Sequence, residues 1–166
     1  YIGDPYDTLP AITFWLMGGL NYVINYDLIL LLIPMLLGGV PLLCIRWRIN
    51  LLTLSDEEAD SLGVNTVYLR AFVILCATLL STSSVAVGGM IGWVGLIIPH
   101  FARMLTGQDY RQMLPAAMLL GSLFLLVVDD AARSAFPMEL PLGVLTAVIG
   151  APLFLYLLFQ GRRSFL

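Results

Sequence analysis

The sequence predicts an all-α fold: a polytopic bundle of transmembrane helices with about five spans, a short re-entrant helix and a short cytoplasmic helix. Three observations support this fold class. Hydrophobic residues make up 60% of the chain and charged residues only 11%, whereas soluble domains carry roughly 25% charged residues. The apolar residues are grouped into stretches that polar or Pro/Gly-rich segments separate. The 166 residues leave room for about five stretches of roughly 20 residues each.

The apolar stretches predict the helices in chain order. Residues 8–20 form a stretch that is too short to cross a bilayer comfortably, which favours a re-entrant or interfacial helix. The third predicted span is short, and Pro99 predicts a kink in it. We expect all residues, 1–166, to belong to one transmembrane domain. The five predicted spans are residues 28–45, 68–88, 93–105, 113–128 and 142–159.

The distribution of arginine predicts the orientation of the spans. All eight basic residues are arginines, and if the loop after the first span is cytoplasmic, all but one of them lie inside. Only Arg133 is then left outside, as the positive-inside rule requires, whereas the opposite orientation would violate that rule almost completely. The arginines placed inside are Arg46, Arg48, Arg70, Arg103, Arg111, Arg162 and Arg163.

Between the first two spans, the sequence predicts a short capped helix. Ser55 can accept a hydrogen bond from the amide of Glu58, while the Glu58 carboxylate reaches back to the amide of Ser55. Asp56 and Glu57 lie at the positive end of the helix dipole, and Gly63 provides a left-handed stop. Two roles are open at this point: a solvated connector, or a docking element whose acidic residues suit a basic groove on a cytoplasmic partner.

A glycine-rich run precedes the third span, which contains the chain's single histidine. The glycines of this run are Gly88, Gly89, Gly92 and Gly95. They lack the lysine and the strand-to-helix setting of a phosphate-binding loop, so they predict close helix packing and hinging. His100 follows Pro99 and has no carboxylate or cysteine partner at ligand spacing, which favours a structural role over a metal site.

The residue inventory disfavours several other kinds of site. Because lysine is absent, the chain cannot form a P-loop, and any ATP hydrolysis must occur on another chain. Cys44 and Cys76 match no metal or redox spacing and are predicted to be buried and inert. An intramembrane protease is disfavoured because no His-Glu-x-x-His motif or plausible Ser–His arrangement is found. We expect no cofactor, no bound metal and no nucleic-acid partner.

Two motifs carry a resemblance to a known family. Residues 58–63 follow an acidic-Ala-x-x-Leu-Gly pattern, and residues 89–103 follow Gly-x-Ile-Gly-x-Val-Gly-Leu-x-x-Pro-His-x-x-Arg. The chain resembles the FecCD family of ABC importer permeases, which import iron–siderophore complexes, haem, vitamin B12 and, in some members, molybdate. Further matches, in chain order, are Gly107-x-Asp109-x-Arg111, Leu114-Pro115, Asp129-x-x-x-Arg133 and Glu139-Leu140-Pro141.

The resemblance implies a domain, partners and site residues. Residues 1–166 would form the C-terminal half of a non-catalytic permease domain in the bacterial inner membrane. Its partners would be an ABC ATPase subunit in two copies, a substrate-binding protein, a second permease copy and membrane lipid. Arg133 would pair with a glutamate on the binding protein. The ATPase-coupling helix would contain Ser55, Asp56, Glu57, Glu58, Ala59, Leu62 and Gly63.

Several alternatives remain open at the level of sequence. Arg133 can also form a local pair with Asp129 at i,i+4 spacing, and this pair and docking can coexist. The alternative function is a proton-coupled secondary transporter that uses Asp129, Asp130 and Glu139, although these acids fall at a span end and in an external loop. The pore is expected to be lined by apolar and small polar residues, including hydroxyls within residues 78–84. The sequence does not specify the cargo.

Overall fold

The structure, a computed structural model, describes residues 8–20, 23–134 and 140–163. Within these ranges the regular structure is helical and there is no β-strand, which confirms the all-α prediction. A 3₁₀ turn, Asn50–Thr53, follows the second helix directly. The α-helices are α1 Thr8–Met17, α2 Asn25–Ile49, α3 Asp56–Ser61, α4 Thr66–Gly88, α5 Val94–Thr106, α6 Tyr110–Ser134 and α7 Leu142–Arg163.

The five predicted spans correspond to helices of two length classes. Among the described residues, α2 with its 3₁₀ extension, α4 and α6 are long and apolar enough to cross a membrane. The other two spans correspond to shorter apolar helices, α5 and the Leu142–Leu155 part of α7. With 13 residues, α5 is about 20 Å long, which is less than the roughly 30 Å of a hydrocarbon core.

Helix α6 extends well beyond the fourth predicted span. The fourth span was expected to end at Val128, but α6 continues to Ser134. The additional turns contain Asp129 and Arg133, whose side chains pair along the helix surface at i,i+4 spacing. Such a pair contributes modestly to the stability of these additional turns.

The described chain divides into two compact units, each with its own core. Unit I includes the described residues of 1–22, 88–101 and 119–166, and unit II comprises Val23–Val87 and Ala102–Met118. The buried core residues are Val128, Ala132 and Leu142 in unit I and Leu42, Ile49 and Cys76 in unit II. In unit II, α2 lies close to α4, since a Cβ added at Gly38 would lie only 2.8 Å from Leu80 Cγ.

Glycines in unit I allow the end of α1, the segment before α5 and the start of α7 to meet. Gly89 has a φ of 69°, and a Cβ at this position would overlap the carbonyl oxygen of Trp15. A Cβ at Gly143 would overlap the carbonyl oxygen of Met17. The absence of side chains therefore lets three backbone segments approach each other, as small residues do between helices in membranes.

The outer surface of α2 is strongly apolar. Leu28, Ile29 and Leu37 are 53%, 63% and 63% exposed, respectively. A soluble monomer rarely carries an apolar surface of this extent without a lipid or protein partner. The surface of α2 is thus suited to lipid or to contact with further transmembrane helices.

We predict that Gly89→Ala destabilises the full-length protein by about 2 kcal/mol or more, because a left-handed backbone and a carbonyl overlap are both unfavourable for alanine. Thermal unfolding in detergent measures the effect. Gly92→Ala is the matched control, since a Cβ at Gly92 meets no atom within 4 Å. Equal losses of stability in the two variants would contradict this account of Gly89.

Candidate functional site

The short helix α3 begins with the capping box that the sequence predicts. The backbone N–H of Glu58 donates to Ser55 Oγ at 3.3 Å, and the backbone N–H of Ser55 donates to Glu58 Oε2 at 3.2 Å. Ser55 itself has an extended backbone, as N-cap residues generally do. The two reciprocal bonds fix the first turn of a helix with only six residues, a length at which an isolated helix is not stable in water.

The C-terminal end of α3 is closed by a left-handed glycine. Gly63 has a φ of 75°; its N–H donates to the Asp60 carbonyl at 2.9 Å, and the Val64 N–H donates to the Ala59 carbonyl at 3.2 Å. This pair of bonds is a Schellman motif, which satisfies carbonyls that the helix cannot satisfy itself. Ala59 is completely buried, so α3 is held against the rest of unit II by its inner side.

The acidic residues of α3 are exposed but serve different purposes. Asp56 lies 3.4 Å from Arg70 in a solvent-exposed ion pair, and the Glu58 carboxylate is used in the capping box. The side chains of Glu57 and Asp60 are exposed and make no hydrogen bond or ion pair with any residue that the structure describes. Leu62 is 61% exposed beside them. We call Glu57, Asp60 and Leu62 the α3 surface; it offers two carboxylates and one apolar side chain to a partner.

A second cluster ties the segment before α3 to the start of α6. The Asn50 amide Nδ2 donates to Asp109 Oδ1 at 2.7 Å, and the Tyr110 N–H donates to Asn50 Oδ1 at 2.9 Å. The Arg111 N–H also donates to Asp109 Oδ1 at 2.9 Å. We call these three bonds the Asn50–Asp109 clamp. They satisfy two of the N–H groups that the first turn of a helix leaves without partners.

The Arg111 backbone N–H, and secondarily the Asn50 amide, hold the pKa of Asp109 below its ordinary value. The charges of Arg111 and Arg46 act in the same direction, although more weakly. A lowered pKa in the folded state means that Asp109 contributes stability above its ordinary pKa, and that this contribution is lost as the pH falls through the lowered value. Asp109 is therefore ionised at neutral pH and can act as a charged acceptor.

The contacts of unit II bring arginines from three helices to the same end. Arg46 near the end of α2 and Arg111 at the start of α6 both influence Asp109, and Arg70 of α4 pairs with Asp56 of α3. The sequence assigns all three arginines to the cytoplasmic side. Their convergence places these three arginines at one end of unit II, since residues on opposite sides of a bilayer could not lie this close to the same cluster.

Arg133 forms the local ion pair that the sequence suggested. Its Nε lies 2.9 Å from Asp129 Oδ2, with the arginine side chain 49% exposed and the aspartate 22% exposed. An exposed i,i+4 pair of this kind contributes a few tenths of a kcal/mol. Asp130 is exposed on the same helix, and Glu139 lies outside the described residues. Of the three acids in the alternative proton pathway, Asp129 is thus engaged by an arginine.

His100 is an exposed residue of α5 that directly follows Pro99. No group of three or more His, Cys, Asp and Glu side chains suited to a metal ion is found among the described residues. The two cysteines differ: Cys76 is buried as predicted, whereas Cys44 is exposed on α2. The prediction for Cys44 is wrong because the apolar stretch of α2 presents much of its surface outward rather than into a core.

The four glycines of the run before and within α5 have different surroundings. Gly88 and Gly89 are buried, and Gly89 makes the backbone contact described above. At Gly92 and Gly95 an added Cβ would meet no atom within 4 Å. Trp93 between them has a φ of 67°, a left-handed conformation that is unusual for a bulky residue and is often found at functional positions.

The hydroxyl-rich part of α4 faces outward. Thr78, Ser81, Thr82 and Ser84 are exposed. The Thr82 and Ser84 hydroxyls donate to backbone carbonyls one turn earlier, each at 2.8 Å. A shallow groove of about 630 Å³ runs along this helix and includes Thr78 and Thr82. This face of α4 is therefore weakly polar, because its hydroxyls donate to carbonyls of the same helix. Such a face can lie against an apolar neighbour or line a water-filled path.

Comparison with known proteins identifies the family to which these residues belong. Residues 2–160 match the FecCD transport family. The chain belongs to that family. This confirms the family resemblance that the motifs at residues 58–63 and 89–103 suggested.

Two curated FecCD relatives show how much of such a protein this chain represents. It is 45% identical to the "Probable iron chelatin transport system permease protein" of Helicobacter pylori, over 92% of this chain and 47% of the relative. It is also 45% identical to "Molybdate import system permease protein MolB" of Haemophilus influenzae, over 99% of this chain and 49% of the relative. The chain thus spans about half the length of the curated relatives it matches.

A solved structure supports the same fold. An ABC transporter assigned to the metal-chelate type, in an inward-facing conformation, matches with a TM-score of 0.90 and 46% sequence identity. The match covers 96% of this chain and 52% of the solved chain. The likeness therefore supports the helical fold over almost the whole of this chain.

Two features of the FecCD chain were missed by sequence reasoning. Asp109 was noted only as part of a motif, and Asn50 was not singled out. An aspartate directly before an apolar helix is an N-cap signal, so the role of Asp109 at the start of α6 could have been predicted. The partnership with Asn50 could not, because no local pattern connects residues 59 positions apart.

We predict that Ser55→Ala weakens α3 by about 1 kcal/mol, the usual effect of losing an N-cap acceptor. Amide hydrogen exchange at Glu58 should then be roughly fivefold faster, if exchange occurs through local opening. Ser55→Asp is the control, since aspartate is an equally good cap and should leave the rate nearly unchanged. Equal exchange rates in wild type and Ser55→Ala would show that the capping box does not stabilise α3.

Proposed function

We propose that residues 1–166 are the C-terminal half of the permease of a binding-protein-dependent ABC importer in the bacterial inner membrane. The observation that carries this proposal is the FecCD match over residues 2–160. Relatives at 45% identity are named as permeases, and the chain covers about half of each of them. In this proposal the permease provides the path and a separate ATPase subunit provides the chemistry.

The α3 surface is the proposed contact with the ATPase subunits. Glu57 and Asp60 have no partner among the described residues, and α3 is fixed in place by its caps and by the buried Ala59. Two unpaired carboxylates on a rigid helix favour a basic groove, while the exposed Leu62 provides an apolar contact. Two ATPase copies would be matched by two permeases, which form the pore between them.

Arg133 is the proposed contact with the substrate-binding protein. The Arg133 side chain is 49% exposed, and its Nε lies 2.9 Å from Asp129 Oδ2. A half-exposed arginine that is oriented by a neighbouring carboxylate can still bind a second carboxylate from a partner. This geometry makes the local pair and the docking role compatible, because Asp129 would orient Arg133 for the partner.

The proposed cargo is a metal chelate such as an iron siderophore or haem, with cobalamin and molybdate as related candidates. Relatives named for iron chelatin and for molybdate match at the same identity, so similarity alone does not separate these classes. The charged residues of α2 and α4 lie in the turns near their ends. A path without charges in the middle of its helices would release a large chelate rather than hold it.

Uptake in proteoliposomes tests the proposed function. The full-length permease is reconstituted with its ATPase and binding protein, and labelled iron chelate is presented on the binding-protein side. We expect uptake that needs ATP on the ATPase side and continues after a protonophore has collapsed the proton gradient. A proton-coupled transporter would give the opposite result: uptake without ATP that the protonophore abolishes.

A further inference from the structure

We propose that the Asn50–Asp109 clamp transmits movement of α3 to α6, so that Asn50 is a positioning residue for transport. The inference rests on the proposed function, since it assumes that an ATPase subunit moves α3. It goes beyond that function because it identifies a connection inside the permease. Three lines of evidence support it: the rigid link from α3 to Asn50, the bonding of Asn50 to α6, and the apolar contacts around the clamp.

The segment between Asn50 and α3 is short and hydrogen-bonded throughout. The Thr53 hydroxyl donates to the Asn50 carbonyl at 2.6 Å, and the Leu54 N–H donates to the Leu51 carbonyl at 3.2 Å. Ser55 follows immediately as the N-cap of α3. Because this 3₁₀ turn contains no glycine and leads directly into the capping box, a displacement of α3 displaces Asn50 as well.

Asn50 uses both ends of its amide to hold the first turn of α6. Its Nδ2 binds the Asp109 carboxylate, and its Oδ1 accepts the Tyr110 N–H. Asp109 in turn caps α6, and its carbonyl accepts the Met113 N–H at 2.9 Å. Because the Asp109 carboxylate is ionised, the hydrogen bond that it accepts from the Asn50 side-chain amide is charge-assisted. Such a bond is stronger than one between neutral groups. One side chain is thus bonded to two consecutive residues of a different helix.

Packing keeps the two elements in register around the clamp. Tyr110 and Leu114 of α6 pack against the buried core that contains Ile49, the residue directly before Asn50. Apolar contact of this kind is non-directional, and it allows helices to slide or rotate. The clamp adds direction, because the two bonds that join Asn50 to the start of α6, at 2.7 and 2.9 Å, tolerate little change in angle. Movement of α3 would therefore be passed to the start of α6 instead of being absorbed by sliding.

The clamp can be broken and rebuilt with nearly isosteric variants. Asn50→Asp places two carboxylates opposite each other without a donor between them. Asp109→Asn keeps an acceptor for both the Asn50 amide and the Arg111 N–H. The exchanged double variant, Asn50→Asp with Asp109→Asn, can remake both bonds between position 50 and the start of α6, since the new amide at position 109 donates to the new carboxylate at position 50, which still accepts the Tyr110 N–H. The Arg111 N–H then needs the amide oxygen at position 109, because Asp109 Oδ1 accepts both bonds in the wild type. Asn50→Ala removes the clamp without adding charge and serves as a second disruptive variant if Asn50→Asp does not fold.

We expect Asn50→Asp to lower the ratio of substrate transported to ATP hydrolysed by about tenfold. This size corresponds to the loss of a charge-assisted hydrogen bond. The measurement uses the full-length permease reconstituted with its ATPase and binding protein. Co-purification of the ATPase and basal ATP hydrolysis should stay within about twofold of wild type, because the α3 surface is untouched. Asp109→Asn should stay near the wild-type ratio, and the exchanged double variant should recover at least half of it.

Three results would overturn the proposal. The first is a wild-type ratio of substrate transported to ATP hydrolysed in Asn50→Asp or Asn50→Ala. The second is a loss of ATPase binding that is proportional to the loss of uptake. The third is failure of the exchanged double variant to recover the ratio. The second result would mean that the clamp only supports the α3 surface. If wild-type uptake does not require ATP, both the proposed function and the clamp proposal are wrong. If wild-type uptake requires ATP and Asn50→Asp resembles wild type, only the clamp proposal is wrong.

Discussion

A hydrocarbon core offers no hydrogen-bond partner to backbone N–H and C=O groups, and this constraint determines most of the structure. It explains why the described elements are helices, and several of their ends are closed by specific bonds. The Tyr68 N–H near the start of α4 donates to Asn65 Oδ1 at 3.2 Å. After α1, the Gly19 N–H donates to the Gly88 carbonyl at 3.0 Å. Helix ends are thus the positions where the sequence has to supply polar side chains or close backbone contacts.

The same requirement links stability to the proposed transport mechanism. The polar groups that close helix ends at one end of unit II also connect its helices to one another. Ser55 and Glu58 stabilise α3, while Asn50 and Asp109 join the preceding segment to α6. An importer powered by a separate ATPase needs a rigid element on its cytoplasmic side and a connection from that element to a transmembrane helix. In the proposed mechanism, both would be formed in unit II by residues that also satisfy backbone groups.

Much of the fold follows from the sequence, because local chemistry decides it. Apolar stretches separated by polar segments predict the five apolar helices, and the Ser55–Glu58 spacing with Gly63 predicts α3 with both of its caps. Predictions failed where a contact between distant residues decides the outcome. Nothing local indicates that Asn50 bonds to Asp109, or that Gly143 lies against the Met17 carbonyl. The exposure of Cys44 was missed because an apolar stretch does not reveal whether it faces a core or lipid.

The proposed mechanism depends most on contact between the α3 surface and the ATPase. A photo-crosslinking amino acid at Leu62, which is 61% exposed, tests this contact in membranes that contain the assembled complex. The same amino acid at Leu123, which is 60% exposed within α6, is the matched control. The account predicts a cross-link from position 62 to the ATPase subunit and none from position 123. A cross-link from position 62 to the substrate-binding protein, or the absence of any ATPase cross-link, would contradict it.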